Sequence, residues 1–169
     1  MKKTRRWLPV LLLAFLAYLG FRFLGGPSET ARDEPPAMLF NRVWLEKMPD
    51  KPTDYVQGTF VLDQQPFGLF QRASAFDYHL ELFEYDQDGA KLKVVFPQTD
   101  KKATFTYSIK GCDVPPFDLC LTLSDNPWGG PKKYYGFRDA EQESKRVPGA
   151  RSGMSARAND AANAARAAR

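Results

Sequence analysis

Between residues 55 and 138 apolar and polar side chains alternate with a period of two, and no helical repeat competes with that pattern. A period of two places successive side chains on opposite faces of an extended strand. Ala103, Phe105, Tyr107 and Ile109 fall on one face, and Lys102, Thr104, Thr106 and Ser108 on the other. The next run sets Phe117, Leu119, Leu121 and Leu123 against Asp118, Cys120, Thr122 and Ser124. Breakers separate the runs: Gln64-Gln65-Pro66, Pro97 to Lys101, and Asn126 to Pro131. Tyr55–Asp63 and Phe67–Phe70 form a pair of strands, and Lys132–Arg138 forms the last strand. Leu39–Lys47 reads as a first strand or a short helix. The sum is seven or eight short antiparallel strands, each beside its sequence neighbour. With no helices to cover it, such a sheet closes on itself or splits into a sandwich, and only closure removes both exposed edges. The expected fold class is therefore all-β: a small antiparallel up-and-down meander barrel of seven or eight strands, with a β-sandwich as the other arrangement.

The region Phe76–Tyr107 holds the clearest turn signal, Asp88-Gly89. Pairing outward from a two-residue loop at Asp88-Gly89 opposes Asp86 to Lys91 and Glu84 to Lys93, with Tyr85 against Leu92 and Phe83 against Val94. Upstream, Phe76, Tyr78 and Leu80 alternate with Asp77, His79 and Glu81, out of phase with Phe83 and Tyr85. A one-residue slip must therefore occur around Glu81–Phe83, and a β-bulge is expected there.

The two ends differ from this middle. Residues 1–26 carry Lys2, Lys3, Arg5, Arg6 and Arg22 with no acid, and residues 140–169 carry a net +3. The whole chain is +4, which leaves residues 27–139 at −4. A mildly acidic folded part lacks the positive charge that phosphate neutralisation needs, so a nucleic-acid-binding domain is not expected. Residues 1–26 read as a signal-anchor or a signal peptide: a basic start, then an uncharged apolar run from Trp7 to Phe21. Continued to Leu24, a helix over residues 7–24 is roughly 27 Å long, close to a bilayer's hydrocarbon core. The positive-inside rule places the N-terminus in the cytoplasm and everything after residue 26 outside it, on the periplasmic side in a bacterium. Residues 27–36 contain three prolines and four charges and read as a linker. Residues 37–139 form the barrel domain. Residues 140–169 have no aromatic or β-branched residue after Val147 and read as a disordered basic Ala/Arg-rich tail, although alanine favours some helix from Ser155 to Arg169.

The chemistry-bearing residues are few. Cys112 and Cys120 are the two cysteines, and in an exported chain an isolated pair becomes a disulfide. With one histidine and two cysteines eight apart, neither a metal site nor a redox Cys-x-x-Cys is expected. His79 alternates outward in the phase above, a solvated strand position. No nucleophile elbow, phosphate loop, dinucleotide fingerprint or zinc-protease motif occurs, so no enzyme and no cofactor are expected. What remains is aromatic: 13 Phe, 7 Tyr and 3 Trp make up 14% of the chain.

Trp44 lies near the first strand, in Asn41-Arg42-Val43-Trp44, and Arg138 ends the last, in Tyr134-Tyr135-Gly136-Phe137-Arg138. With an aromatic-rich meander between them, this order resembles the lipocalin and wider calycin barrels over residues 39–138. The resemblance implies that Trp44 closes one barrel end and packs under Arg138, a favourable cation–π pair. It also implies binding of a small apolar molecule. Two departures stand out: Arg42 occupies the glycine position of the family's Gly-x-Trp, and no helix after the barrel is evident. The expected ligand lining is Phe60, Phe76, Tyr78, Leu80, Phe105, Tyr107 and Leu121, in a membrane-tethered binding barrel. The second reading is an interaction module of the cell envelope with a solid core, offering Trp128, Tyr134 and Tyr135 as an exposed patch to an envelope protein.

Overall fold

A computed structural model describes residues 33–167. The N-terminal segment through residue 32, with its expected membrane span, lies outside the described residues. Among the described residues no helix is long and apolar enough to cross a membrane.

Eight strands close into one antiparallel barrel in sequence order. They are β1 (Trp44–Leu45), β2 (Val56–Val61), β3 (Phe67–Ala73), β4 (Tyr78–Asp88), β5 (Lys91–Phe96), β6 (Lys101–Val114), β7 (Phe117–Leu123) and β8 (Lys133–Gly136). Leu45 pairs with Tyr135, and this contact between first and last strand removes the free edges. The up-and-down barrel is thus the observed architecture. Its first element resolves into a 3-10 turn, Pro36–Leu39, followed by the short β1.

The hairpin between β4 and β5 has the expected apolar face but a different register. Asp88 pairs with Lys91, Asp86 with Lys93 and Tyr85 with Val94. The loop is Gly89-Ala90, with a positive φ of 59° at the glycine alone. That is the sign pattern of a type II′ turn, with glycine at the first central position. Sliding the pairing by two residues keeps every side chain on its face, which is why patterning could not distinguish the two registers. The exposed pair Asp86–Lys93 closes to 3.4 Å.

No bulge interrupts β4. It pairs with β3 in one unbroken register from Phe67↔Glu84 to Ala73↔Tyr78. The register shift lies elsewhere, between Gly111 and Val114 of β6. With β4 regular, His79 and Glu81 share the inward phase of Phe83, while Tyr78 and Leu80 face out. The apolar alternation upstream was that of the outer face.

An outer apolar face needs a cover, and the C-terminal residues supply it. Residues 140–167 form α1 (Ala140–Arg146) and α2 (Ala150–Ala167) and are not a disordered tail. Met154, Ala158 and Ala162, four residues apart along one helical stripe, are buried against Phe60, Leu62, Phe67 and Leu69 of the barrel exterior. Composition misled here because the helix brings small residues to a surface whose large residues belong to β2 and β3. Asp139 caps α1 by accepting from the Glu141 amide at 2.8 Å. Glu143, only 1% exposed, accepts from the Val43 amide at 3.2 Å and pairs with Arg151 at 2.6 Å. One carboxylate therefore joins both helices to the start of β1. The expected linker also ends early: Asp33 bridges Lys110, and the Glu34 amide donates to Ile109 at 2.8 Å.

The interior is filled by rings and aliphatic chains. Phe70, Phe83 and Phe96 lie with centroids 5.2–6.5 Å apart. Trp44 is buried among them, and its indole Nε1 donates to Leu39 at 3.0 Å. Gly68 makes this packing possible: a Cβ there would stand 2.3 Å from Phe83 Cζ. On the barrel exterior Cys112 and Cys120 form the expected disulfide across the β6–β7 hairpin, with Cα atoms 5.6 Å apart. Closing so short a loop stabilises the fold by about 2–3 kcal/mol.

Two outcomes are expected. Gly68→Ala drives a methyl into the Phe83 ring and costs about 1–3 kcal/mol in urea unfolding; an unchanged midpoint would contradict this packing. Burial pushes the Tyr85, Tyr107 and Tyr134 hydroxyls up, Tyr85 from 10.0 to about 12. Unfolding lets the phenol ionise at its ordinary value. The stabilisation is therefore complete below pH 10 and is lost as pH rises through about 12. Alkaline unfolding curves should show that decline, and Tyr85→Phe should flatten part of it.

Candidate functional site

The strand register builds a polar row at one end of the barrel. Gln57 of β2 pairs with Arg72 of β3, which pairs with His79 of β4. All three lie in the phase of Phe70 and Phe83, so they form the rim layer above the aromatic interior. The β7–β8 loop reaches over this row. Asn126 holds that loop: its Nδ2 donates to Pro131 at 2.7 Å and to the Tyr134 hydroxyl at 2.9 Å, and its Oδ1 accepts from the Trp128 amide at 3.1 Å. Trp128 is thereby set between Phe70, 5.6 Å away, and His79, 6.1 Å away, with both ring pairs nearly parallel. A ring stack thus runs from the core to the mouth and ends in an imidazole.

The cleft above it encloses about 510 Å³ and is lined by Tyr55, Gln57, Arg72, His79, Trp128 and the Gly129-Gly130-Pro131 turn, with Glu46 at its edge. That volume falls in the range of small-molecule sites. Gln57 Nε2 donates to the Gly129 carbonyl at 2.9 Å, and its amide donates to Glu46 at 3.0 Å, so Gln57 and one Glu46 oxygen are committed to structure. The Arg72 guanidinium lies 5.4 Å from the Tyr55 ring centroid, and the Tyr55 hydroxyl donates to Asp77 at 2.9 Å. That hydrogen bond raises the Tyr55 pKa. Arg72 and His79 make no side-chain hydrogen bond to any described residue, so their donors are free for a ligand.

The expected ligand lining is dispersed. Phe105, Tyr107 and Leu121 do face inward but are packed in the core. Phe60 lies on the outer face under α2. Leu80 and Tyr78 also face out, and Arg157 of α2 lies 4.6 Å from the Tyr78 ring centroid. Phe76 sits in the β3–β4 turn, 78% exposed. The Trp44–Arg138 pair is not formed. Arg138 pairs with Glu34, and the Trp44 ring stands against Gly136, where a Cβ would come within 3.0 Å. The alternative aromatic patch is not formed either. Tyr134 is buried, Tyr135 stacks on Phe117 at 5.4 Å, and Trp128 is sandwiched. Sequence reasoning missed Arg72 and assigned His79 to the opposite face, although His79 is exposed, as expected of a solvated position. The signal for His79 was present in the phase of Phe83 and Tyr85, continued backward without a bulge.

Among the described residues no three of His, Cys, Asp and Glu gather into a metal-binding group. The closed eight-stranded antiparallel barrel is consistent with a lipocalin- or calycin-like fold in general. No protein family, no curated protein and no solved structure matches the chain.

Gly130 has a φ of 96°, and a Cβ there would lie 2.2 Å from Gln57 Oε1. Gly130→Ala should therefore cost about 1–2 kcal/mol. It should also loosen the loop enough to shift Trp128 emission to longer wavelength. An unshifted spectrum would show that the loop does not depend on this approach.

Proposed function

We propose that this chain is a membrane-tethered, extracytoplasmic binding barrel whose ligand is a small, flat, largely apolar molecule bearing one anionic group. One observation carries the reading: Arg72 and His79 stand side by side at the barrel mouth, with no side-chain hydrogen bond to a described residue, where the Phe70–Trp128–His79 stack ends. A planar ligand would add a further layer on the imidazole, and its acidic group would meet the guanidinium. The filled interior argues for a site at the mouth in place of a deep calyx. The tethered reading rests on the basic start and the apolar run of residues 7–24.

Both cores, the disulfide and all eight strands lie within residues 33–167, so this unit, with its helices, suits ligand work. Anilinonaphthalene sulfonate, aromatic and anionic, should bind with a saturable rise in fluorescence. Arg72→Gln should weaken it at least about tenfold, the equivalent of about 1.4 kcal/mol. The uncharged N-phenylnaphthylamine should bind equally to both proteins. Binding of the sulfonate that is indifferent to Arg72 and His79 would overturn the mouth as the site. Native mass spectrometry of the purified protein would then be the route to any natural ligand.

A further inference from the structure

A second concavity lies outside the barrel, between its wall and the helical cover. It encloses about 420 Å³. Val56 and Ala73 form the barrel side, Pro148 and Met154 the helical side, and loop 49–54 closes the end. Two cations border it. Lys51 makes no side-chain hydrogen bond to a described residue, and Arg157 gives one donor to Gln71 at 2.8 Å and keeps others. The N-terminal turn of the eighteen-residue α2 also opens here, at Gly149 and Ala150. The helix dipole favours an anion at that end, while the lining amides of Ala150 and Gly153 already donate to Val147 at 3.1 Å and Gly149 at 2.9 Å. Asp54 is the acid on the lining, and its Oδ2 is occupied by the amides of Asp50 and Lys51, both at 3.0 Å.

Gly153 leaves this part of the groove open. It lies on α2 and lines the concavity, and its backbone is helical. A Cβ there would meet nothing nearer than Arg157 at 3.5 Å, an ordinary contact. Neither backbone geometry nor packing therefore requires glycine. Within a helix glycine is less stable than alanine by up to about 1 kcal/mol.

We propose that this groove binds a single-chain anionic amphiphile, with its alkyl chain between Val56, Ala73 and Met154 and its head group at Lys51, Arg157 and the start of α2. The groove and the mouth share no lining residue, so the two sites stand or fall separately.

The test uses the full chain in lipid nanodiscs and a photoreactive decanoate analogue, with labelled peptides mapped by mass spectrometry. Label should concentrate on residues 49–54 and 147–157 and be displaced by unlabelled decanoate. Gly153→Leu fills the groove from the helix and should reduce that label at least tenfold while the melting temperature holds or rises. Should Gly153→Leu melt early, Ala73→Leu fills the same space from the barrel wall and serves in its place. Label spread over other surfaces, or undiminished in a folded groove-filling variant, would overturn the proposal. So would equal labelling by the corresponding alcohol, which lacks the charge that Lys51 and Arg157 would recognise.

Discussion

Burial of β2 on both faces is the constraint on which the rest of the structure depends. All six residues from Val56 to Val61 are shielded from water. Val61 and Thr59 look into the barrel, while Phe60 and Val56 look out. A barrel wall alone covers one of those faces. The other stays wet unless a second layer packs on it, and an exposed apolar strip of that size would seek another partner. The Met154–Ala158–Ala162 stripe of α2 provides the layer, and its small residues let the helix approach closely. Glu143 then fixes the helices to β1 through Val43 and Arg151. A carboxylate buried with both partners is costly to break, so the cover behaves as part of the fold.

The same arrangement creates both candidate sites. Where the strands end, the inner face changes from phenylalanine to Gln57, Arg72 and His79, because the rim is within reach of water. Where α2 begins, its small residues no longer meet large ones, and a groove is left against Val56 and Ala73. The barrel interior, the obvious place for a ligand, is occupied by its own rings. The open clefts thereby lie at the boundaries of the packed layers, where polar groups and apolar walls converge.

The faces of β5, β6 and β7 were legible in the sequence because each has one apolar and one polar side. The hairpin faces were legible for the same reason, but its pairing was not, since a two-residue slide changes no face. His79 was misplaced for a more instructive reason. Phe76, Tyr78 and Leu80 were taken to face inward because they are apolar, yet Phe76 lies in a turn and the other two face outward. Alternation tells which residues share a face and leaves open which face is the core when an unseen element can cover the other. Arg72 was missed because an inward-facing arginine on an apolar strand matches no motif. It becomes visible once Phe70 and His79 define its row.

By itself the sequence determined an all-β domain of alternating strands, its turn positions, its disulfide and the apolar identity of most of its core. Those properties are local: they follow from the period of two, from turn residues and from two cysteines eight apart. Only the tertiary structure decided the register of β4 with β5, the regular phase of β4, the cover of α2 and the meeting of Arg72, His79 and Trp128. Each of these joins segments whose individual patterns are compatible with more than one partner. The choice among partners is made by total burial, which is a property of the closed barrel and its helix together.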